Sequence, residues 1–163
     1  MIILRQKNYS FNSNLSEIIN IDNHISLKKD HLGILAKLLR KISKRIKNNQ
    51  DNFVYYYILF DNKKVGCIEL SKKDKKTLYG VWLTIDEKYR GNKIATKVLE
   101  YIISLAKKLK FEYFILEVPG NSPDARHIYE KLGFKEDKTR PKNHDEEYDA
   151  IWGGLTNMIL KLW

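Results

Sequence analysis

Apolar and polar positions in this chain recur with two periods, and the switches between them predict its elements. Ile2 to Leu4 reads as a short first strand, and a short helix is expected around Leu15 to Ile19. From Ser26 to about Lys47, the positions Leu32, Leu35, Leu39, Ile42 and Ile46 recur at helical spacing. Basic residues lie mostly on the other faces, which predicts an amphipathic helix. Phe53 to Phe60 is rich in aromatic and aliphatic residues, Asp61-Asn62-Lys63-Lys64 suits a hairpin turn, and Val65 to Leu70 is the return strand. A lysine-rich turn leads to a third strand, Leu78 to Ile85. The period then changes again: Ile94, Ala95, Val98, Leu99, Ile102, Leu105, Ala106 and Leu109 share one helical face. Phe111 to Val118 is an apolar strand that follows at once. Ser122 as cap, Pro123 in the first turn and Gly133 at the end bound a second helix, Ser122 to Leu132. Phe134 starts another strand, a polar loop runs from about Asp137 to Gly154, and Leu155 to Leu160 is the last strand. A helix joining two strands through short connections argues that those strands are parallel. The expected fold is α/β, one domain over residues 1–163 with a mixed central sheet of about seven strands and helices on both faces.

Composition narrows the class. A chain of 163 residues that is 43% hydrophobic suits one well-formed core. No apolar run is long enough to cross a bilayer, and the N-terminus lacks the apolar centre of a secretory signal. Cys67 is the sole cysteine, which excludes an internal disulfide and a cysteine-based metal cluster. A cytoplasmic protein is the expectation. The net charge of +10 fits either an anionic partner or a solvated basic surface. The charge is spread along the chain, which favours solvated surface and leaves nucleic acid as a secondary partner.

Three clusters carry candidate chemistry. Arg90-Gly91-Asn92-Lys93-Ile94-Ala95 is a basic, glycine-containing loop between a strand and a helix. Backbone amides left unpaired there converge beside the positive end of the helix dipole, where a phosphate or pyrophosphate binds well. The dinucleotide spacing GxGxxG is absent. Glu117 interrupts an apolar strand, and Glu69 lies within Gly66-Cys67-Ile68-Glu69-Leu70. A carboxylate in such a setting is costly unless it is paired or used. His144, Asp145, Glu146, Glu147 and Asp149, with Tyr148 and Trp152 among them, form an acidic, aromatic cluster. His24, His31 and His127 show no ligand spacing with it, so no metal is expected.

The loop Arg90 to Ala95, followed by Asn121, Ala125, Tyr129 and Gly133-Phe134, resembles the two signature segments of the GNAT superfamily of acyl-CoA-dependent N-acetyltransferases. Leu116-Glu117-Val118, Asn121 and Tyr129 resemble the arrangement in ribosomal-protein N-terminal acetyltransferases, a string shared with relatives of other specificity. One departure stands out: Lys93 occupies the place of the family's usual second glycine. A lysine preserves the amide and suits the site if its φ is negative.

The resemblance implies acetyl-CoA as cosubstrate and no metal. The backbone at Leu83 and Ile85 would pair with the pantetheine arm. Arg90, Gly91, Asn92, Lys93, Ile94 and Ala95 would hold the pyrophosphate, and Asn121 would contact the cofactor. Tyr129 would act as general acid toward the departing thiolate, and Glu117 as base, with Glu69 or a water as alternatives. A primary amine would attack directly in a ternary complex. The acceptor would be a small-molecule or peptide amine, which an acidic, aromatic rim would suit. No membrane partner is implied, and a homodimer is left open. Two other readings compete: a basic GNAT-fold module that acts on or binds tRNA, and a relative that binds acyl-CoA without catalysis.

Overall fold

The computed structural model describes residues 15–29, 53–139 and 146–163. They build one sheet from β1 (Ile18–Asn20), β2 (Ile25–Lys29), β3 (Phe53–Phe60), β4 (Lys63–Lys72), β5 (Thr77–Ile85), β6 (Tyr113–Pro119), β7 (Lys135–Glu136) and β8 (Leu155–Lys161). The strand order is β1-β2-β3-β4-β5-β6-β8-β7, eight strands where about seven were expected. Three α-helices accompany them among the described residues: α1 (Ile94–Lys108), α2 (Pro123–Lys131) and α3 (Glu146–Trp152). The pair joined by α1, β5 and β6, is parallel as predicted. The other neighbours are antiparallel, so the sheet is mixed.

The N-terminal elements differ from the expected ones. Ile18–Asn20 is a strand rather than part of a helix, and it pairs with β2 from Ile18↔Lys28 to Asn20↔Ser26. Ser26 to Lys29 likewise belongs to β2, where Ile25, Leu27 and Lys29 are buried and alternate with more accessible neighbours. That is a strand's period of two, and pairing with β3 overrides the helical spacing downstream. Residues 30–47 of the expected helix, the Ile2 to Leu4 strand, His144 and Asp145 lie outside the described residues. The expected polar loop before the last strand contains α3. The hairpin turn is tighter than expected: Asp61 (φ 48°) and Asn62 (φ 62°) both take the left-handed conformation of a two-residue turn.

Residues directly opposite one another on paired strands share a face of the sheet. Val54, Tyr56 and Ile58 of β3 lie on the same face as Ile68 and Leu70 of β4, and Leu78 of β5 as Phe114 of β6. All are buried. This is the core face, and α2 packs on it: Phe134, just past the helix, stacks edge-on against Phe114 at 5.4 Å and meets the Tyr129 ring at 5.9 Å. Right-handed β–α–β crossovers that advance in the same direction put α1 on that face too. Of the predicted stripe, Ile94, Val98, Leu99, Ile102 and Ala106 are buried and Ala95 and Leu105 partly so, while Leu109 lies just past the helix end and is exposed. The opposite face carries Tyr55, Glu69, Trp82 and Glu117, and α3 reaches it through Trp152, whose ring meets Trp82 at 6.2 Å. Helices therefore flank both faces.

Candidate active site

The sheet opens at its centre. β5 and β6 are paired from Thr77↔Tyr113 to Gly80↔Leu116, and beyond that point they part. β6 stays with β8 as far as Pro119↔Leu155. β5 stays with β4, but its register shifts: Leu70 faces Gly80 while Glu69 faces Trp82, leaving Val81 as an extra residue. A bulge of this kind bends its strand and increases its twist. Gly80 stands at the fork, where a Cβ would collide with Leu116 Cδ2 unless that side chain moved.

Alternation along β5 decides what faces the gap. The Asp86 amide donates to Val65 O of β4 at 2.8 Å, so the backbone groups of Thr84 and Trp82 also point to β4. Those of Leu83 and Ile85 then point to the other edge, toward the gap. Ile85 O accepts Arg90 Nε at 3.2 Å, which draws the loop back against the strand end.

The loop passes through one 3-10 turn, Glu87–Tyr89, and then two left-handed residues, Gly91 (φ 80°) and Lys93 (φ 58°), before α1 begins. Asn92 Nδ2 donates to Tyr89 O at 3.0 Å and steadies the turn. Lys93 O accepts the first helical bond, from the Lys97 amide at 3.0 Å. The amides of Asn92, Lys93, Ile94 and Ala95 have no partner among the described residues, as expected at a helix start. The space where a Gly91 Cβ would stand has nothing within 4 Å. Open amides, a helix N-terminus and room for close approach fit a pyrophosphate.

Lys93 departs from the sequence-based condition. Its φ is positive, so the chain keeps the backbone shape of a glycine with a lysine in it. For a residue with a Cβ that conformation costs about 1 kcal/mol.

The predicted proton-transfer groups lie on opposite faces of the sheet. Tyr129 lies on the helix-covered side, 7% exposed, with no hydrogen-bond partner for its hydroxyl among the described residues. Burial pushes its phenol up to about 12, so it holds its proton throughout the neutral range. Glu117 follows Leu116 immediately past the fork, half-buried, on the opposite face. Glu69 sits on that second face as well, 7% exposed, in one cross-strand row with Tyr55 and Trp82.

Asn121 works as a clamp. Its amide donates to Trp152 O at 3.2 Å and its Nδ2 to Ile151 O at 3.2 Å, while the Gly120 amide donates to Gly154 O at 2.8 Å. These bonds fix the end of α3 beside β6. Ser122, expected to cap α2, makes no side-chain cap bond; its Oγ lies 3.5 Å from Asn121 Oδ1. Gly80, Trp82 and Gly120 were not singled out from the sequence. A glycine inside a strand is the available signal for Gly80, since it marks a bulge or a close approach.

The profile of the acetyltransferase (GNAT) family matches residues 22–134. The chain belongs to the GNAT acetyltransferase family. Solved structures of similar shape include a GNAT family acetyltransferase from Elizabethkingia anophelis with acetyl-CoA bound (17% identity, 86% of this chain and 99% of that one, TM-score 0.62). An acetyltransferase from Salmonella typhimurium that modifies the N-terminal serine of the 50S ribosomal subunit protein L7/L12 is similar over 89% of this chain and 99% of its own (13% identity, TM-score 0.63). The microcin C7 self-immunity acetyltransferase MccE, in complex with acetyl-CoA and AMP, shares 12% identity over 88% of this chain and 95% of its own (TM-score 0.66). No curated protein matches the sequence. No helix among the described residues is long and apolar enough to cross a membrane.

Proposed function

We propose that this GNAT family member transfers an acetyl group from acetyl-CoA to a primary amine by direct attack across the gap between β5 and β6. The observation that carries this reading is the fork at Gly80 and Leu116, which turns the backbone of Leu83 and Ile85 to an open edge just upstream of the loop amides. That edge would pair with the pantetheine arm, and an amide on it would face the thioester oxygen as charge develops there. Arg90, Gly91, Asn92, Lys93, Ile94 and Ala95 would hold the pyrophosphate. Bound acetyl-CoA supplies an acetyl group on a thiolate leaving group. Asn121 serves the site by holding the end of α3 in place.

The two sides of the sheet divide the work. The cosubstrate lies on the helix side, with Tyr129; the amine enters from the opposite side, with Glu117 and Glu69. Glu117 takes the proton that the amine nitrogen loses as its bond to the acetyl carbon forms. Tyr129 gives its proton to sulfur as the carbon–sulfur bond breaks and the bonding pair leaves with the thiolate. The products are the N-acetyl amide and CoA thiol, and solvent restores both side chains.

The test is acetyl-CoA binding by calorimetry, together with free thiol release on an amine panel of N-terminal peptides, polyamines and aminoglycosides. Tyr129→Phe is expected to lower kcat about a hundredfold while acetyl-CoA affinity holds. No acetyl-CoA binding, or a Tyr129→Phe variant as active as the parent, would sink the assignment.

A further inference from the structure

Resting on that reading, a second feature of the gap bears on what the acceptor is. Its amine-side wall carries two tryptophans. Trp82 is the first residue of β5 past the bulge, on the same face as Glu117, and it remains 46% exposed. Trp152 ends α3 and meets the Trp82 ring edge-to-face, at 6.2 Å and 89°. This contact spans the two diverging strands, because the Asn121 clamp ties the end of α3 to the β6 side while Trp82 rides on β5. Gly120 and Gly153 pack too closely for a side chain at Gly120. Ile151, next to Trp152 in sequence, is 60% exposed.

An amine small enough to lie wholly inside the gap has no use for that wall. An amine at the end of a chain does, because its next group must rest against the wall while the nitrogen reaches the thioester. The free edge of β6 beyond Leu116 adds backbone groups that an extended chain can pair with. We infer that Trp82 and Trp152 select the acceptor, and that it is a polypeptide N-terminus whose first side chain is large and apolar. The first side chain rests on the exposed face of Trp82, and the α-amine points into the gap.

The experiment compares peptides that differ only at their first residue (Met, Leu or Phe against Ser, Ala or Asp), with spermidine and phenethylamine as free amines. Wild type is expected to show kcat/KM about tenfold or more higher for the large apolar first residues. Trp82→Ala is expected to raise KM about tenfold for those peptides with little change in kcat, and Trp82→Phe to restore most of the difference. Acetyl-CoA affinity, measured separately by calorimetry, stays at the wild-type value in both variants. Preference for small polar first residues, faster turnover of either free amine than of every peptide, or equal KM in wild type and Trp82→Ala overturns the inference. Loss of acetyl-CoA binding by the wild-type protein would instead overturn the proposed activity.

Discussion

Lys93 shows how one residue can satisfy a backbone requirement at a steric cost. The turn into α1 needs a left-handed residue, and lysine adopts it at φ 58° and ψ 16°. Its Cβ crowds the following carbonyl, whereas glycine at the same place would not. Lys93→Gly is therefore expected to stabilise the fold by about 0.5–1 kcal/mol, reduced by the extra chain entropy glycine has when unfolded. Lys93→Ala keeps the strain and loses only the cation, so its urea midpoint should remain near wild type. Both variants remove one positive charge from the loop and should weaken acetyl-CoA binding similarly, with the difference from wild type shrinking as salt rises. A Lys93→Gly midpoint no higher than that of Lys93→Ala would refute the strain argument.

At the scale of elements, the joint between the β6–α2 turn and the end of α3 is a close backbone approach. A Cβ on Gly120 would collide with Gly153 O, and the backbone there is held by the Gly120–Gly154 and Asn121–Trp152 bonds. Gly120→Ala is expected to cost about 1–3 kcal/mol, because rigid backbone must move. Trp152 shifts with it, so acceptor KM should rise while acetyl-CoA affinity is retained. Unchanged thermal stability would show that the joint yields. Elements with strong local signals were legible in the sequence: α1 from its apolar stripe, α2 from Pro123 and Gly133, and β3 and β4 from their hairpin turn. Those that depend on partners distant in sequence were not. β1 is three residues long and exists through its pairing with β2, and Ser26 to Lys29 followed β3 into the sheet. The loop before α1 was readable because its signal is local. The fork was not, since it arises from how β4, β5, β6 and β8 share their edges.

At the scale of the whole molecule, the sheet's outer hairpin is tied back to the loop helix through one carboxylate. Asp22, in the turn between β1 and β2, accepts the amides of His24 at 2.8 Å and Ile25 at 2.6 Å, and Lys97 Nζ of α1 at 2.6 Å. A lysine in the first turn of a helix is unfavourable beside the positive dipole end, and Asp22 offsets it. The Lys97 bond, then the His24 and Ile25 amides, hold the Asp22 carboxyl down at about 2, below its ordinary 3.8. A lowered acid favours folding above its unfolded value and loses that contribution as pH falls toward the folded one. Asp22 should therefore stabilise the fold above pH 3.8 and cease to do so by about 2. Its exposure to solvent keeps the effect modest and sensitive to salt. The comparison that isolates it is the urea midpoint of wild type and Asp22→Asn, measured from about pH 5 down to about pH 2. The variant is expected to start lower and to fall less across that window, so that the two curves converge in acid. Parallel curves would show that the hairpin is held to α1 by something other than this carboxylate.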